Sequence, residues 1–210
     1  MIKSILYTLL LSTLPICLSQ SGKQSQDGEL LGKAIEYFQS EKYHEAMILF
    51  RQLDASYRLN PRFKAYLGVC FYYEWDYDKA TAYLDESIPH LHAFAPHERS
   101  FYYYADAESH FHLKQYDKAI TLYEMMLNVC YPNERGEALY KLGLSYAFTG
   151  KWRNSYDYLS SSLAYYHTYD NGRQTARISQ IKNMMAGCRQ HIDIETDTTD
   201  SINIVNIHTK

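Results

Sequence analysis

The sequence is poor in the residues that staple, kink or charge a chain. Cysteine occurs four times, tryptophan twice, proline five times and glycine nine times in 210 residues. Four cysteines without a C-x-x-C pair exclude a disulfide-framed small domain and a cysteine zinc site. So little proline and glycine excludes collagen-like and low-complexity chains. There is no basic excess either: 21 Lys and Arg face 24 Asp and Glu, a formal net charge of −3. That balance excludes a phosphate-tracking surface, and no nucleic-acid partner is expected. No glycine-rich phosphate loop, H-E-x-x-H or G-x-S-x-G occurs, so neither catalysis nor a cofactor is expected. What the chain does have is tyrosine, 22 against 8 phenylalanines, within a hydrophobic content of 46%. Tyrosine brings an apolar ring with a polar tip, suited to packed seams and to binding surfaces.

The N-terminus reads apart from the rest. Met1-Ile2-Lys3-Ser4 carries one positive charge, Ile5 to Leu14 is a short apolar run, and Cys17-Leu18-Ser19 offers small residues at both positions a signal peptidase reads. The run is shorter than the roughly 20 residues that span a bilayer. We expect a cleaved signal peptide over 1–19, a mature start at Gln20, a short linker over 20–26 and an exported protein, periplasmic or associated with the cell envelope. Ile16 stands where acylated-cysteine signals carry Gly, Ala or Ser, which argues against lipidation of Cys17. Cleavage leaves Cys70, Cys130 and Cys188. Buried packing thiols are the expectation, with one bridge still open in an oxidising compartment.

From there a pattern recurs four times. An aromatic precedes a small residue by three positions at Tyr43/Ala46, Tyr77/Ala80, Tyr116/Ala119 and Trp152/Ser155, with spacings of 34, 39 and 36 residues between the small residues. Four residues after each comes Phe50, Leu84, Tyr123 or Leu159; nine before, Tyr37, Phe71, His110 or Tyr146; twelve before, Ala34, Gly68, Ala107 or Gly143. Each unit reads as two short helices at a tight turn. The small residues permit close approach, and the large ones fill the seam. Gly150 is expected in the left-handed conformation that ends a helix, Pro61 at a helix first turn, and Asp76 and Asp117 beside the turn into a second helix. Two inserts, around Ser87–His97 and around Cys130–Asn133, stretch the period.

Period and pattern resemble the tetratricopeptide repeat, a 34-residue helix–turn–helix unit. The structural positions are Leu67, Gly68, Phe71 and Ala80 in repeat two, Ala119 in repeat three, and Leu142, Gly143 and Tyr146 in repeat four. Departures are Ser155 for the second-helix alanine, Asp106-Ala107 for Leu-Gly in repeat three, and Lys33-Ala34 in repeat one. The resemblance implies an all-α, right-handed α-solenoid of about four repeats. Its domain would run from 27 to 192, closed by a capping helix over Arg173–Ile192 that covers the last repeat. Residues 193–210 read as a polar linker and a β-prone tail.

In this family the first helices line a concave groove. Carried over by register, repeat two supplies Arg62, Ala65, Val69, Tyr72 and Tyr73. Repeat three supplies Phe101, Tyr104, Glu108, Phe111 and His112, and repeat four Glu137, Tyr140, Leu144, Ala147 and Phe148. Leu31, Ile35 and Val69 occupy positions where carboxylate-clamping members carry Lys, Arg or Asn, so that clamp is not expected. The alternative for these aromatics is inter-repeat packing. Five histidines fall between His90 and His112, but His110 and His112 project to different sides of a helix and His110 sits at an aromatic packing position. No metal site is expected. Acid pairs such as Asp76/Asp78 and Asp85/Glu86 read as solvated faces or caps.

The expectation is a non-catalytic scaffold or adaptor of the cell envelope that binds a protein or peptide in an aromatic groove and carries no cofactor. The alternatives are a docking module of outer-membrane or peptidoglycan-associated machinery, and a glycan binder using stacked tyrosines. Repeats with a trailing β-prone segment are similar to the N-terminal part of some Bacteroidetes envelope proteins. The cell-wall activity of their later domains is not carried over.

Overall fold

The computed structural model describes residues 14–169 and 173–207, with side chains described over 26–169 and 173–194. Among the described residues nine α-helices succeed one another. They are α1 (Leu14–Gln39), α2 (Tyr43–Ser56), α3 (Pro61–Tyr73), α4 (Tyr77–Ser87), α5 (Pro96–His112), α6 (Tyr116–Leu127), α7 (Arg135–Phe148), α8 (Trp152–Tyr169) and α9 (Thr175–Ile207). Each packs on the next in sequence, and the first helices of repeats two and three, α3 and α5, also touch. None of these helices is long and apolar enough to cross a membrane.

Helix starts follow side-chain chemistry where the sequence supplies it. Asn60 accepts from the Phe63 amide at 3.1 Å ahead of Pro61 at the first helical position. Asp76 accepts from the Lys79 amide at 3.3 Å. Asp117 does not cap: it lies inside the first turn of α6, whose N-cap is Gln115.

The helix ends verify the register more sharply than side-chain identity does. Positive φ occurs at Glu41 (58°), Trp75 (61°), Lys114 (60°) and Gly150 (72°). These are equivalent positions, each five residues before the repeat's small residue. At each, the next amide reaches back five residues: Lys42 to the Tyr37 carbonyl (2.9 Å), Asp76 to Phe71 (3.0 Å), Gln115 to His110 (2.8 Å) and Lys151 to Tyr146 (3.0 Å). This is the Schellman closure, four times over, with the aromatic-position residue always the acceptor.

The core runs along the seam between first and second helices. Ala46, Ala80, Ala119 and Ser155 are wholly buried, as are Phe50, Leu67, Leu84, Tyr123, Leu142 and Leu159. At Gly68 an added Cβ would lie 2.7 Å from Leu84 Cγ, and at Gly143 2.6 Å from Leu159 Cγ. Ser155 replaces alanine because its hydroxyl donates to the Gly143 carbonyl at 2.8 Å. The longer insert folds back onto the array: Ile88–His90 forms a 3-10 turn, and Leu91 is buried in the core of repeats one to three. Cys70, Cys130 and Cys188 are free thiols.

Both ends of the chain differ from expectation. The segment expected as a linker over 20–26 lies within α1, which begins at Leu14; most of the expected leader, 1–13, lies outside the described residues. The segment expected as a linker and β-prone tail from 193 is helical as far as Ile207. No glycine or proline follows Gly187, so nothing in the backbone forces α9 to stop at Ile192. Its docked part is as expected: Ile181 and Cys188 are buried against repeat four, with Met184 and Met185 beside them.

Candidate functional site

The residues expected to form a partner surface divide into three groups. Some are buried. Val69 is wholly enclosed, Glu108 is 5% exposed and Tyr140 is 2% exposed. Val69 faces the core because α3 is covered on both sides, by its own repeat and by α5. Glu108 receives the Lys141 ammonium at 2.6 Å and the Tyr123 hydroxyl, so it ties repeat three to repeat four. Tyr140 lies under the Arg177 guanidinium of α9, 4.0 Å from its ring centre. None of these three presents a surface to a partner.

A second group forms joints between repeats. The aromatic that opens each second helix stacks flat on a ring of the following unit. Tyr43 meets Tyr73 (3.8 Å, 1°), Tyr77 meets His112 (4.4 Å, 2°) and Tyr116 meets Phe148 (4.9 Å, 8°). Trp152 meets His191 of α9 in the same way (4.0 Å, 8°). Tyr73, His112 and Phe148 therefore engage one ring face in packing, although Tyr73 is 41% and Phe148 59% exposed. Phe111 lies edge-on to Phe148 at 5.6 Å, and Tyr72 edge-on to Tyr104 at 6.4 Å.

The third group lines a cavity. Where α5 and α7 begin and α6 ends, a partly open space of about 370 Å³ is lined by His97, Glu98, Ser100, Phe101, Tyr104, Met126, Glu134 and Glu137. Phe101, Tyr104 and Glu137 are among the residues expected from register. His97, Met126 and Glu134 are not. His97 closes the first insert and Glu134 follows the second, so the period breaks were the signal that could have found them.

The acidic rim of the cavity is already engaged. Glu98 accepts two hydrogen bonds from Arg62 (2.8 and 3.1 Å) and one from the Tyr102 hydroxyl (2.8 Å). Glu137 accepts from the Tyr166 hydroxyl at 2.6 Å and from Arg177 at 3.3 Å. Glu134 accepts from the Tyr131 amide at 3.0 Å. Burial, together with the carboxylates of Glu108 and Glu137, pushes the Tyr104 phenol well above its ordinary range. What remains open is the apolar floor, so an apolar side chain suits the cavity better than a charge does.

Residues 137–166, from the first turn of α7 through most of α8, match the family model described as tetratricopeptide repeat. Solved structures extend the likeness to the whole array. A MamA structure from AMB-1 has a TM-score of 0.65 at 14% identity, covering 87% of this chain and 91% of its own. The fold is a tetratricopeptide-repeat solenoid. A Podosopora anserina protein of nearly identical TPR-like repeats gives 0.57 at 14% identity, covering 87% of this chain and 94% of its own. The apo form of RapI gives 0.61 at 10% identity, covering 87% of this chain and 67% of its own. At such identities the likeness establishes fold alone. No curated protein matches the sequence. The four positive-φ residues mark the turn between the first and second helix of each unit.

Proposed function

We propose that this chain is an exported scaffold or adaptor of the cell envelope that holds a protein or peptide segment against its first helices. The supporting observation is the cavity between the starts of α5 and α7. Phe101, Tyr104 and Met126 form an apolar floor there, while the surrounding carboxylates are held by Arg62, Arg177 and backbone. A leucine- or phenylalanine-sized anchor entering such a space gains about 1.5–3 kcal/mol from burial. The neighbouring Tyr72, half-buried, and Tyr73 extend the contact along α3. Flat stacking already occupies one face of Tyr73, His112 and Phe148, which favours a peptide over a sugar that needs several free ring faces in a row.

Export rests on the leader-like 1–19 segment. Fractionation of the producing cell, with mass measurement of the mature N-terminus, tests it: a cytoplasmic chain that retains Met1 would refute it. For the surface, a photo-crosslinking residue is placed at Phe101 or Tyr104 in the native cell, with Ile48 on α2 (50% exposed) as the comparison. A discrete crosslinked partner from the α5 positions, lost in Met126→Ala, supports the reading. Equal crosslinking from Ile48 overturns it.

A further inference from the structure

Repeat three departs from the apolar repeat pattern at two structural positions. Asp106 stands where repeats two and four have Leu67 and Leu142; His110 stands where Phe71 and Tyr146 fill the seam. The structure brings these departures together. They lie one turn apart on the same side of α5, and Asp85 of α4 faces them. Asp106 is wholly buried, His110 is 1% exposed, and the side chain of Asp85 is about half exposed.

The three donors converge. His110 Nε2 is 3.3 Å from Asp85 Oδ1 and 3.5 Å from Asp106 Oδ1. One ligand atom from each of the three residues lies within 4.8 Å of the others. Donors roughly 2.0–2.1 Å from a tetrahedral ion are about 3.3–3.4 Å apart, so the imidazole already holds the right separation from each carboxylate. Two further observations point the same way. Both carboxylate oxygens of Asp106 are buried without a hydrogen-bond partner among the described residues, an expensive arrangement unless something else binds them. The other ring nitrogen, His110 Nδ1, lies 2.6 Å from Gln115 Oε1. An amide oxygen there holds the proton on Nδ1 and turns the Nε2 lone pair toward the carboxylates, the outer hydrogen bond that orients a ligating histidine.

We propose that Asp85, Asp106 and His110 bind a divalent transition-metal ion of the zinc class, clipping α4 of repeat two to α5 of repeat three. Asp85, on the solvent side, gives the ion its entry path and leaves room for water as a further ligand. Lys118 pairs with the outer oxygen, Asp85 Oδ2, at 3.3 Å and leaves Oδ1 directed at the imidazole. One nitrogen and two oxygens suit Zn²⁺ or Co²⁺; Mg²⁺, which requires near-octahedral oxygen, is not expected to compete. The competing arrangement is the same three side chains with no ion between them, and the two differ in what added metal does.

The test is titration of the full chain, freed of metal by chelation, with Co²⁺ followed by visible absorption and then displacement by Zn²⁺. One equivalent of Co²⁺ should develop ligand-field bands, which Zn²⁺ should abolish and Mg²⁺ leave unchanged. Asp85→Asn, at a half-exposed position, should weaken Co²⁺ binding at least tenfold while keeping the helical circular dichroism. Asp106→Asn should do the same from the buried side. Zn²⁺ should raise the melting temperature of the unaltered chain and not that of Asp85→Asn. Absent Co²⁺ bands, or binding unchanged in a folded Asp85→Asn, overturns the proposal and leaves the scaffold reading untouched.

Discussion

The four positive-φ positions offer a controlled measurement of what the repeat turn demands. Three are occupied by residues with a Cβ, Glu41, Trp75 and Lys114, and one by Gly150. Left-handed backbone costs an L-residue about 1–2 kcal/mol. Glycine avoids that strain but loses more conformational freedom on folding, worth about 0.5–1 kcal/mol. Lys114→Gly should therefore stabilise by about 0.5–1 kcal/mol, and Gly150→Ala should destabilise by a similar amount. The space around Gly150 makes the comparison clean, because an added Cβ there has nothing within 4 Å and any loss comes from the backbone alone. Gly150→Asn should fall between the two, since asparagine tolerates this region. The assay is urea denaturation followed by circular dichroism, reading a change in midpoint at constant slope. If Lys114→Gly were neutral or destabilising while Gly150→Ala lost stability, the four turns would not be equivalent and the register argument would fail.

Gly143→Ala should destabilise by about 1–3 kcal/mol through overpacking on Leu159, whereas Gly28→Ala, with open space around it, should gain up to about 1 kcal/mol from helix propensity; thermal melts of the pair check this. Lys141→Met strands the buried Glu108 carboxylate and should cost about 3–5 kcal/mol. The double variant Lys141→Met/Glu108→Gln, whose amide oxygen still accepts from the Tyr123 hydroxyl, should recover most of that loss in the same denaturation assay. Thiol titration in denaturant without reductant should find three cysteines in a mature chain and a fourth, Cys17, if the leader is retained. Under native conditions the half-buried Cys130 should react first, because Cys70 and Cys188 are enclosed and burial pushes the Cys70 thiol up.

The repeat architecture was legible because its constraints are local and steric. Gly68 and Gly143 have no room for a Cβ, Ala46, Ala80 and Ala119 sit at the helix crossing, and these demands leave a periodic trace. The candidate surface was only partly legible. Register placed Phe101 and Tyr104 on the cavity, but it could not separate rings that face solvent from rings that face the next repeat. Tyr73, His112 and Phe148 belong to both classes. Val69, Glu108 and Tyr140 were misplaced because their burial depends on α5, on Lys141 and on Arg177, all distant in sequence. Asp106 and His110 were read one at a time, as a departure and as a packing residue; the i, i+4 spacing was visible, but Asp85 arrives from another helix. The helical course of 193–207 was missed by weighing the β-propensity of its isoleucines above the absence of any breaker.

The stacked rings between repeats also describe how such an array grows. Every unit brings one ring at the start of its second helix, and repeats two to four offer another at the end of the first, where repeat one has Gln39, so consecutive units mate through the same joint. His191 of α9 takes the place that the first helix of a fifth repeat would give to its ring, facing Trp152. The final helix is thus a half-unit seated in a full unit's socket. Array length becomes a free variable: a repeat inserted ahead of α9, carrying its own pair of rings, would meet Trp152 on one side and His191 on the other without altering either.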